Sequence, residues 1–176
     1  MKFLGTLVLG LTLAIPATYA QQQPVATAAA QTSATFNLYN PAANAAADIK
    51  KATQQAAKEK KHVLLQIGGN WCIWCKRLHK FIEDDSNLKG YLDSNYVVYH
   101  LNYSKENQNL PVLKQLGFPQ RFGFPVLVVL DGKGTRLHTQ NSGLLESGSS
   151  YDREKILAFF KQWSPTALDP VHYTQQ

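Results

Sequence analysis

The segment "GGNWCIWCKRL", residues 68–78, contains both cysteines of this 176-residue chain, Cys72 and Cys75. A disulfide between them would close a very short loop, which contributes only about 2 kcal/mol in the loop-entropy description. A domain of this length can bury a hydrophobic core without such a crosslink. The spacing therefore favours a pair that opens and closes in redox chemistry over a purely structural disulfide.

The residues on either side of the pair place it between a strand and a helix. "HVLLQIG", residues 62–68, is a short apolar run ended by a glycine pair, which is typical of a buried strand. "IWCKRLHKFIEDD", residues 73–85, carries apolar residues on one side and predicts a helix. Cys72 would then face the free N–H groups and the positive end of the helix dipole, which lower the pKa of a thiol. We therefore expect Cys72 to be the nucleophile and Cys75, one turn further in, to be the resolving thiol.

The remaining patterns predict an α/β fold with a central mixed sheet and helices on both of its faces. Strands alternate with helices along the chain, and the turn "DGKG" joins the last two strands as a hairpin. The predicted order is α-β-α-β-α-β-β-α. The predicted helices are residues 40–60, 73–85, 107–117 and 151–163, and the predicted strands are residues 62–68, 95–103, 125–131 and 135–141.

Two motifs resemble the thioredoxin family. One is "WCIWCK", residues 71–76, between the apolar strand and the helix. The other is "RFGFPVLVVLDGKG", residues 121–134, which places Pro125 at the cis-proline position of the family. The resemblance covers residues 38–165. It implies a thioredoxin fold with a thiol–disulfide exchange site that needs no cofactor.

The resemblance also implies where a substrate binds. A cis bond before Pro125 frees the backbone of Phe124 to pair with an extended substrate strand near Cys72. Trp71 and Trp74, beside the cysteines, are candidates for a flat apolar docking surface. The alternative is that Trp74 packs against the domain and only Trp71 is exposed.

The chain departs from the family at the positions that handle protons. Thioredoxins carry a buried acid six residues before the first cysteine, where this chain has Gln66, and the lysine that often accompanies that acid aligns with His100. Gln66 and His100 therefore occupy the positions at which the resemblance implies proton transfer. Gln66 cannot act as a base, whereas His100 can titrate near neutral pH and is the candidate for a proton shuttle. Alternatively, His100 is an ordinary core or edge histidine. His79, four residues after Cys75, is expected to be exposed to solvent.

The dipeptide between the cysteines, Ile73-Trp74, is apolar. Strongly oxidising relatives have a histidine there, which stabilises the reduced thiolate. We therefore expect a reducing pair, with a reduction potential below about −180 mV.

The first twenty residues, "MKFLGTLVLGLTLAIPATYA", have the layout of a secretory signal peptide with cleavage after Ala20. Their apolar run is shorter than the roughly 20 residues of a membrane-spanning helix, which argues against the alternative of a membrane anchor. The expected location is therefore the periplasm. We expect residues 1–20 to be the signal peptide, 21–37 a flexible leader, 38–165 the thioredoxin-like domain and 166–176 a C-terminal tail.

Charge and composition narrow the class of partner. The chain has 18 Lys and Arg residues against 12 Asp and Glu residues, a formal net charge of +6. These basic residues form no stripe or arginine cluster, so nucleic-acid binding is not expected. The expected partners are disulfide-containing exported proteins and a membrane or periplasmic electron donor. The protein is expected to act as a monomer, because no dimerisation module is visible.

The expected activity is the reduction or isomerisation of disulfides in exported proteins through Cys72 and Cys75. The alternative for the same thiolates is a soft-metal chaperone that binds Cu(I), with His79 or His138 completing the site. Copper chaperones of this fold place a histidine near the cis-proline, where this chain has Phe124, so peptide substrates are favoured. No resident metal or cofactor is expected.

Overall fold

The structure, a computed structural model, describes residues 36–174, in which helices and strands alternate along most of the chain. The helices are α1 (Ala45–Glu59), α2 (Ile73–Glu83), α3 (Ser86–Asn95), α4 (Leu110–Gln115) and α5 (Arg153–Gln162). The strands are β1 (His62–Gly68), β2 (Tyr96–Asn102), β3 (Val126–Leu130), β4 (Arg136–Asn141), β5 (Glu146–Ser147) and β6 (Ser150–Tyr151). Short 3₁₀ turns cover Pro119–Phe122, Ser142–Leu145, Thr166–Leu168 and Pro170–His172.

Four of the strands form a mixed sheet in the order β2-β1-β3-β4. The pair β1–β2 is parallel, and the pairs β1–β3 and β3–β4 are antiparallel. The parallel pair needs a long crossover, which α2 and α3 provide. The mixed sheet predicted from the sequence is therefore confirmed, and β1 has the predicted bounds.

The central strand β1 is buried on both faces because apolar residues occupy both of its alternating sets of positions. Val63, Leu65 and Ile67 belong to a core that α1 and α4 cover. Leu64 belongs to a second core that α2, α3 and α5 cover on the opposite face. Helices therefore lie on both faces of the sheet, as predicted.

The first helix begins later than the sequence predicts. Its first residue is Ala45 rather than residue 40 or 41, and the segment before it is a turn. The Asn44 side chain accepts a hydrogen bond from the backbone N–H of Ala47 at 3.1 Å, which satisfies one of the free amides at the helix start. The predicted start of this helix at residue 40 is therefore wrong, and its N-cap is Asn44.

The structure contains two elements that the sequence does not predict. The segment between the second predicted helix and the next strand is the separate helix α3, and its Leu88 and Leu92 join the core beneath α2. Its other residues are mostly polar, so the apolar spacing is too sparse to indicate a helix. The short hairpin β5–β6, in which Glu146 pairs with Tyr151, also carries no apolar alternation.

The predicted signal peptide, residues 1–20, and residues 21–35 of the predicted leader lie outside the described residues. The description begins at Phe36, whose ring lies 6.1 Å from the ring of His79. Phe36 therefore packs against the domain, although it precedes residue 38, the predicted start of that domain. Within residues 36–174, no helix is long and apolar enough to cross a bilayer.

Asn70, two residues before Cys72, fastens the N-terminal segment to the turn that carries the cysteines. Its Oδ1 accepts hydrogen bonds from the backbone N–H groups of Leu38 and Tyr39, both at 3.0 Å. Its Nδ2 donates to the carbonyl of Tyr39 at 2.8 Å. One side chain therefore fixes where Tyr39 lies relative to the cysteines.

Replacing this side chain should release the segment. We expect Asn70→Ala to lower the free energy of unfolding by about 1–3 kcal/mol, because two amides lose their acceptor. We also expect faster hydrogen exchange at the amides of Leu38 and Tyr39. Urea unfolding and amide exchange of the oxidised protein measure both effects.

Asn87→Ala is the control for this prediction, since Asn87 is exposed on α3. Its side chain makes no hydrogen bond within the part of the chain that the structure describes. Unchanged exchange at Leu38 and Tyr39 in Asn70→Ala would contradict the role given to Asn70.

Candidate active site

Cys72 and Cys75 are joined by a disulfide at the start of α2. Cys72 is the N-cap residue of this helix, and its backbone is extended (φ −84°, ψ 109°). Its sulfur accepts a hydrogen bond from the backbone N–H of Cys75 at 3.1 Å. The sulfur therefore lies at the positive end of the helix dipole, which stabilises a thiolate once the disulfide is reduced.

Both cysteines are buried, and Cys75 lies deeper. Cys75 is 0% exposed and Cys72 is 4% exposed. Gly68, the last residue of β1, makes room for the second sulfur, because a Cβ added there would lie 2.4 Å from the Cys75 Sγ. A glycine at this position therefore lets Cys75 pack directly against the end of the strand.

The two basic residues that follow the pair stack on aromatic rings. The Lys76 ammonium lies 5.3 Å from the centroid of the Phe36 ring, and the Arg77 guanidinium lies 4.7 Å from that of Trp74. These contacts hold both cations near the first turn of α2. They add to the positive potential around Cys72 and favour its thiolate.

The proline loop lies beside the cysteines. The Phe124–Pro125 peptide bond is cis. Pro125 is buried, and its carbonyl accepts a hydrogen bond from the Ser142 hydroxyl. Phe124 packs against the small cluster that contains both cysteines. The two motifs that resemble the thioredoxin family are therefore brought together at one site.

The two tryptophans have different surroundings. Trp71 is 58% exposed. Trp74 is half-buried and packs against Tyr151, with the ring centroids 5.6 Å apart. Of the two sequence-based alternatives, the structure therefore has the one in which Trp74 packs against the domain.

Trp71, Tyr103 and Phe124 form an aromatic cluster. The Phe124 centroid lies 5.5 Å from that of Trp71 and 4.7 Å from that of Tyr103. The Trp71 Nε1 donates a hydrogen bond to the carbonyl of Tyr103 at 2.8 Å. A groove of about 450 Å³ runs along Trp71, Tyr103, residues 104–106 and Gln108. Sequence reasoning missed Tyr103, because its place at the end of a predicted strand indicates no role.

Gln66 and His100 are neighbours in the register of β1 and β2. Gln66 donates a hydrogen bond from its Nε2 to the Tyr39 hydroxyl at 2.9 Å. The His100 ring lies edge-on to the rings of Tyr39 and His79, at 5.6 Å and 6.0 Å. His79 is thus half-buried in this group, and the prediction that it is exposed to solvent is wrong.

Burial lowers the pKa of His100 to about 4, and the neighbouring His79 shifts this pKa in the same direction. A neutral ring costs less to desolvate than a charged one, so His100 stays neutral at neutral pH. A base with so low a pKa holds a proton poorly in the pH range where thiols exchange.

Tyr39 is a site residue that the sequence does not reveal. Its side chain is 0% exposed and packs with both cysteines. A Cβ added to Gly68 would lie 3.0 Å from the Tyr39 hydroxyl oxygen and 2.4 Å from the Cys75 sulfur. The hydroxyl and the sulfur therefore lie on the same side of Gly68. Tyr39 precedes the first helix in a segment without periodicity, so no local pattern indicates its role.

Among residues 36–174, no group of three or more histidine, cysteine, aspartate or glutamate side chains is arranged to hold a metal ion. The histidines considered as copper ligands are engaged in packing. The His138 ring stacks on Trp163, with the centroids 4.1 Å apart, and the His79 ring packs against Phe36 and His100.

The mixed sheet, the cysteine pair at the start of α2 and the proline loop beside it define a protein of the thioredoxin-fold class. Residues 49–160 match the family described as the thioredoxin-like domain, and the chain belongs to this family. Among curated proteins, none matches this chain.

Two solved structures are similar to this one. The disulphide isomerase from Xylella fastidiosa Temecula1 is 26% identical, with a TM-score of 0.64, over 72% of this chain and 97% of that chain. The C-terminal domain of DsbD from Neisseria meningitidis, in the reduced form, is 21% identical, with a TM-score of 0.50, over 67% of this chain and 96% of that chain. This second likeness is one of fold. The family and the cysteine pair together support thiol–disulfide oxidoreductase chemistry.

The low pKa of His100 makes the stability of the protein depend on pH. Histidine in an unfolded chain has a pKa of about 6.5, whereas that of folded His100 is about 4. As the pH falls between these values, the unfolded state takes up the proton first, and stability is lost. We expect His100 to contribute a loss of about 3 kcal/mol by pH 4, and none above the unfolded pKa.

The measurement is urea unfolding at several pH values for the parent protein and for His100→Gln. Glu83 and Asp93, which line a cavity together with His100, are present in both proteins, so their contribution cancels in the difference. His172→Gln is the control, since His172 is exposed. An identical pH dependence in the parent and in His100→Gln would show that His100 is not held neutral by the fold.

Proposed function

We propose that this protein is a thiol–disulfide oxidoreductase that reduces or isomerises disulfides in exported proteins. The observation that carries this proposal is the position of Cys72 as the N-cap of α2, with Phe124 packed against the cysteine pair. The helix N-terminus stabilises a thiolate at such a cap, and disulfide exchange requires a thiolate as the attacking group. The similarity to a protein described as a disulphide isomerase supports the same class of substrate.

Reduction of a substrate proceeds in two exchange steps. The Cys72 thiolate attacks one sulfur of the substrate disulfide, a mixed disulfide forms, and the other substrate sulfur leaves with the electron pair and takes up a proton from water. Cys75 then loses its proton and attacks the Cys72 Sγ, which expels the remaining substrate sulfur as a thiolate. The substrate gains two electrons, and the protein ends in the disulfide form that the structure has.

The substrate in this proposal is a protein segment in extended form. It pairs with the backbone of Phe124 next to Pro125, close to Cys72. Apolar side chains of an unfolded protein contact Trp71 and Ile73, which are 58% and 54% exposed on either side of Cys72. Trp74, being half-buried, forms an edge of this surface.

We propose that Gln66 and His100, the two residues expected to transfer protons, instead position Tyr39 beside the cysteine pair. Both contact Tyr39, the first by a hydrogen bond and the second by an edge-on ring contact. Because Gln66 has no titratable group and the pKa of His100 is about 4, we propose that they act through Tyr39 rather than by direct transfer.

The proposed location is the periplasm, and its support is the signal-peptide layout of residues 1–20. Each reduction of a substrate leaves the protein oxidised. A membrane or periplasmic electron donor must therefore reduce it again before the next turnover. We propose that the protein works as a monomer, without a resident cofactor or metal.

Substitution of each cysteine tests the assigned roles. With Cys75→Ser, Cys72 still attacks a substrate, but the mixed disulfide is not resolved. We expect the reduced Cys75→Ser protein to accumulate a covalent complex with a disulfide-containing protein such as insulin, and Cys72→Ser to form none. Mass spectrometry of acid-quenched mixtures identifies the complex and the cysteine that holds it.

Both variants should lose the parent's catalysis of insulin reduction by dithiothreitol, since each lacks one of the two exchange steps. Ser164→Ala, away from the pair, is the control substitution and should retain the parent's rate. A complex that forms through Cys75 in Cys72→Ser, as fast as through Cys72 in the other variant, would refute the assignment.

A further inference from the structure

The Tyr39 hydroxyl and the Cys75 sulfur both border Gly68, and in the disulfide form the hydroxyl donates no hydrogen bond to that sulfur or to any other group within residues 36–174. Within residues 36–174, the one hydrogen bond to this hydroxyl comes from the Gln66 Nε2, at 2.9 Å. An amide nitrogen only donates, so the hydroxyl oxygen is the acceptor in this bond and its own proton is not used. The side chain is completely buried, so bulk water does not take that proton either.

A negative charge appears next to this hydroxyl when the disulfide opens. Cys72 has the helix N-terminus to stabilise its thiolate, as the hydrogen bond from the Cys75 N–H shows. Cys75 is one turn further in and completely buried, and burial in apolar surroundings disfavours a thiolate. The resolving sulfur therefore needs a donor of its own, and the Tyr39 hydroxyl borders Gly68 on the same side as this sulfur.

We propose that Tyr39 donates a hydrogen bond to the Cys75 thiolate, and that Gln66 positions the hydroxyl for this. The inference rests on the proposed function. In resolution, the Cys75 thiol gives its proton to solvent, its thiolate accepts the hydrogen bond from Tyr39, and the sulfur then attacks Cys72 Sγ while the substrate thiolate leaves. In the reverse direction, Cys75 leaves Cys72 with the electron pair and receives the same hydrogen bond. Tyr39 keeps its proton throughout.

The surroundings favour a donor over a base at this position. Burial raises the pKa of Tyr39 above its ordinary value, so the phenol remains protonated at every pH at which thiols exchange. A hydrogen bond lowers the pKa of the thiol that it faces, which raises the fraction of thiolate more than it lowers the nucleophilicity of the sulfur. Among the titratable or charged groups of the neighbouring elements, the His100 ring on β2 packs against Tyr39, and Tyr151 on β6 interacts with Tyr39 electrostatically. His79 on α2 packs on His100, and Lys76 on α2 lies over Phe36, so neither contacts the pair directly.

The test uses the reduced protein and an aromatic disulfide that releases two coloured thiolates in sequence. The first release reports attack by Cys72, and the second reports resolution by Cys75. We expect Tyr39→Phe to slow the second release about 3-fold at neutral pH, because loss of a hydrogen bond to a charged group lowers the thiolate fraction about 10-fold, while the more basic thiolate is about 3-fold more nucleophilic. The pH midpoint of the second release should rise by about one unit, and the first release should be unchanged.

Tyr99→Phe is the matched control. This substitution also removes a partly buried hydroxyl, on β2, but the Tyr99 hydroxyl contacts Asp48 and not the cysteine pair. We therefore expect the rates of both releases to be unchanged. Gln66→Met keeps the Tyr39 hydroxyl and removes only its positioning contact. We expect Gln66→Met to slow the second release as well, by a smaller factor than Tyr39→Phe. This variant keeps the inference testable if Tyr39→Phe folds poorly.

A second release in Tyr39→Phe with the parent's rate and pH midpoint overturns the inference. A slower second release with an unshifted midpoint also overturns it, since a loss of packing alone gives that result. Failure of the first release in the parent protein contradicts the proposed function instead.

Discussion

The hydrogen bond from the Cys75 backbone N–H to the Cys72 sulfur is the interaction on which the rest of the site depends. It makes Cys72 the cap of α2, so that one sulfur lies where the helix dipole is most positive. The helical turn that follows carries the second sulfur inward, to the end of β1. Gly68 is required there because any side chain would collide with that sulfur. The two thiols thus differ in chemistry because one capping interaction places them in different surroundings.

Three separate parts of the chain meet around this cap. The pairing of β3 with β1 sets Ile67 opposite Val126, which brings the residue before it, Pro125, to the level of the cysteines. The N-terminal segment contributes Tyr39, which Asn70 holds by hydrogen bonds to its backbone. The sheet provides the rigid support, since the central strand is packed on both faces. The site is therefore assembled by tertiary contacts around a locally determined helix start.

The features of the fold and the site that can be predicted from the sequence are those determined by neighbouring residues in the chain. The apolar run of residues 62–68 and the position of Cys72 before a helix both follow from neighbouring residues, and the structure has them there. The helix α3 was missed because few of its residues are apolar. Tyr39 and Tyr103 were missed because their contacts with Gln66 and Trp71 cross 27 and 32 residues of sequence. No periodic pattern records such contacts, so only the fold shows that Gln66 faces a buried phenol.

The most direct test of this account is the pH dependence of alkylation of the reduced protein, with each cysteine followed separately by mass spectrometry. We expect Cys72 to react first, with a pKa well below the ordinary thiol value of about 8.5. We also expect Cys75 to react far more slowly at every pH, because it is buried behind Gly68 and the first turn of α2. Equal rates for the two cysteines, each with a pKa of about 8.5, would contradict the claim that the helix start makes Cys72 the nucleophile.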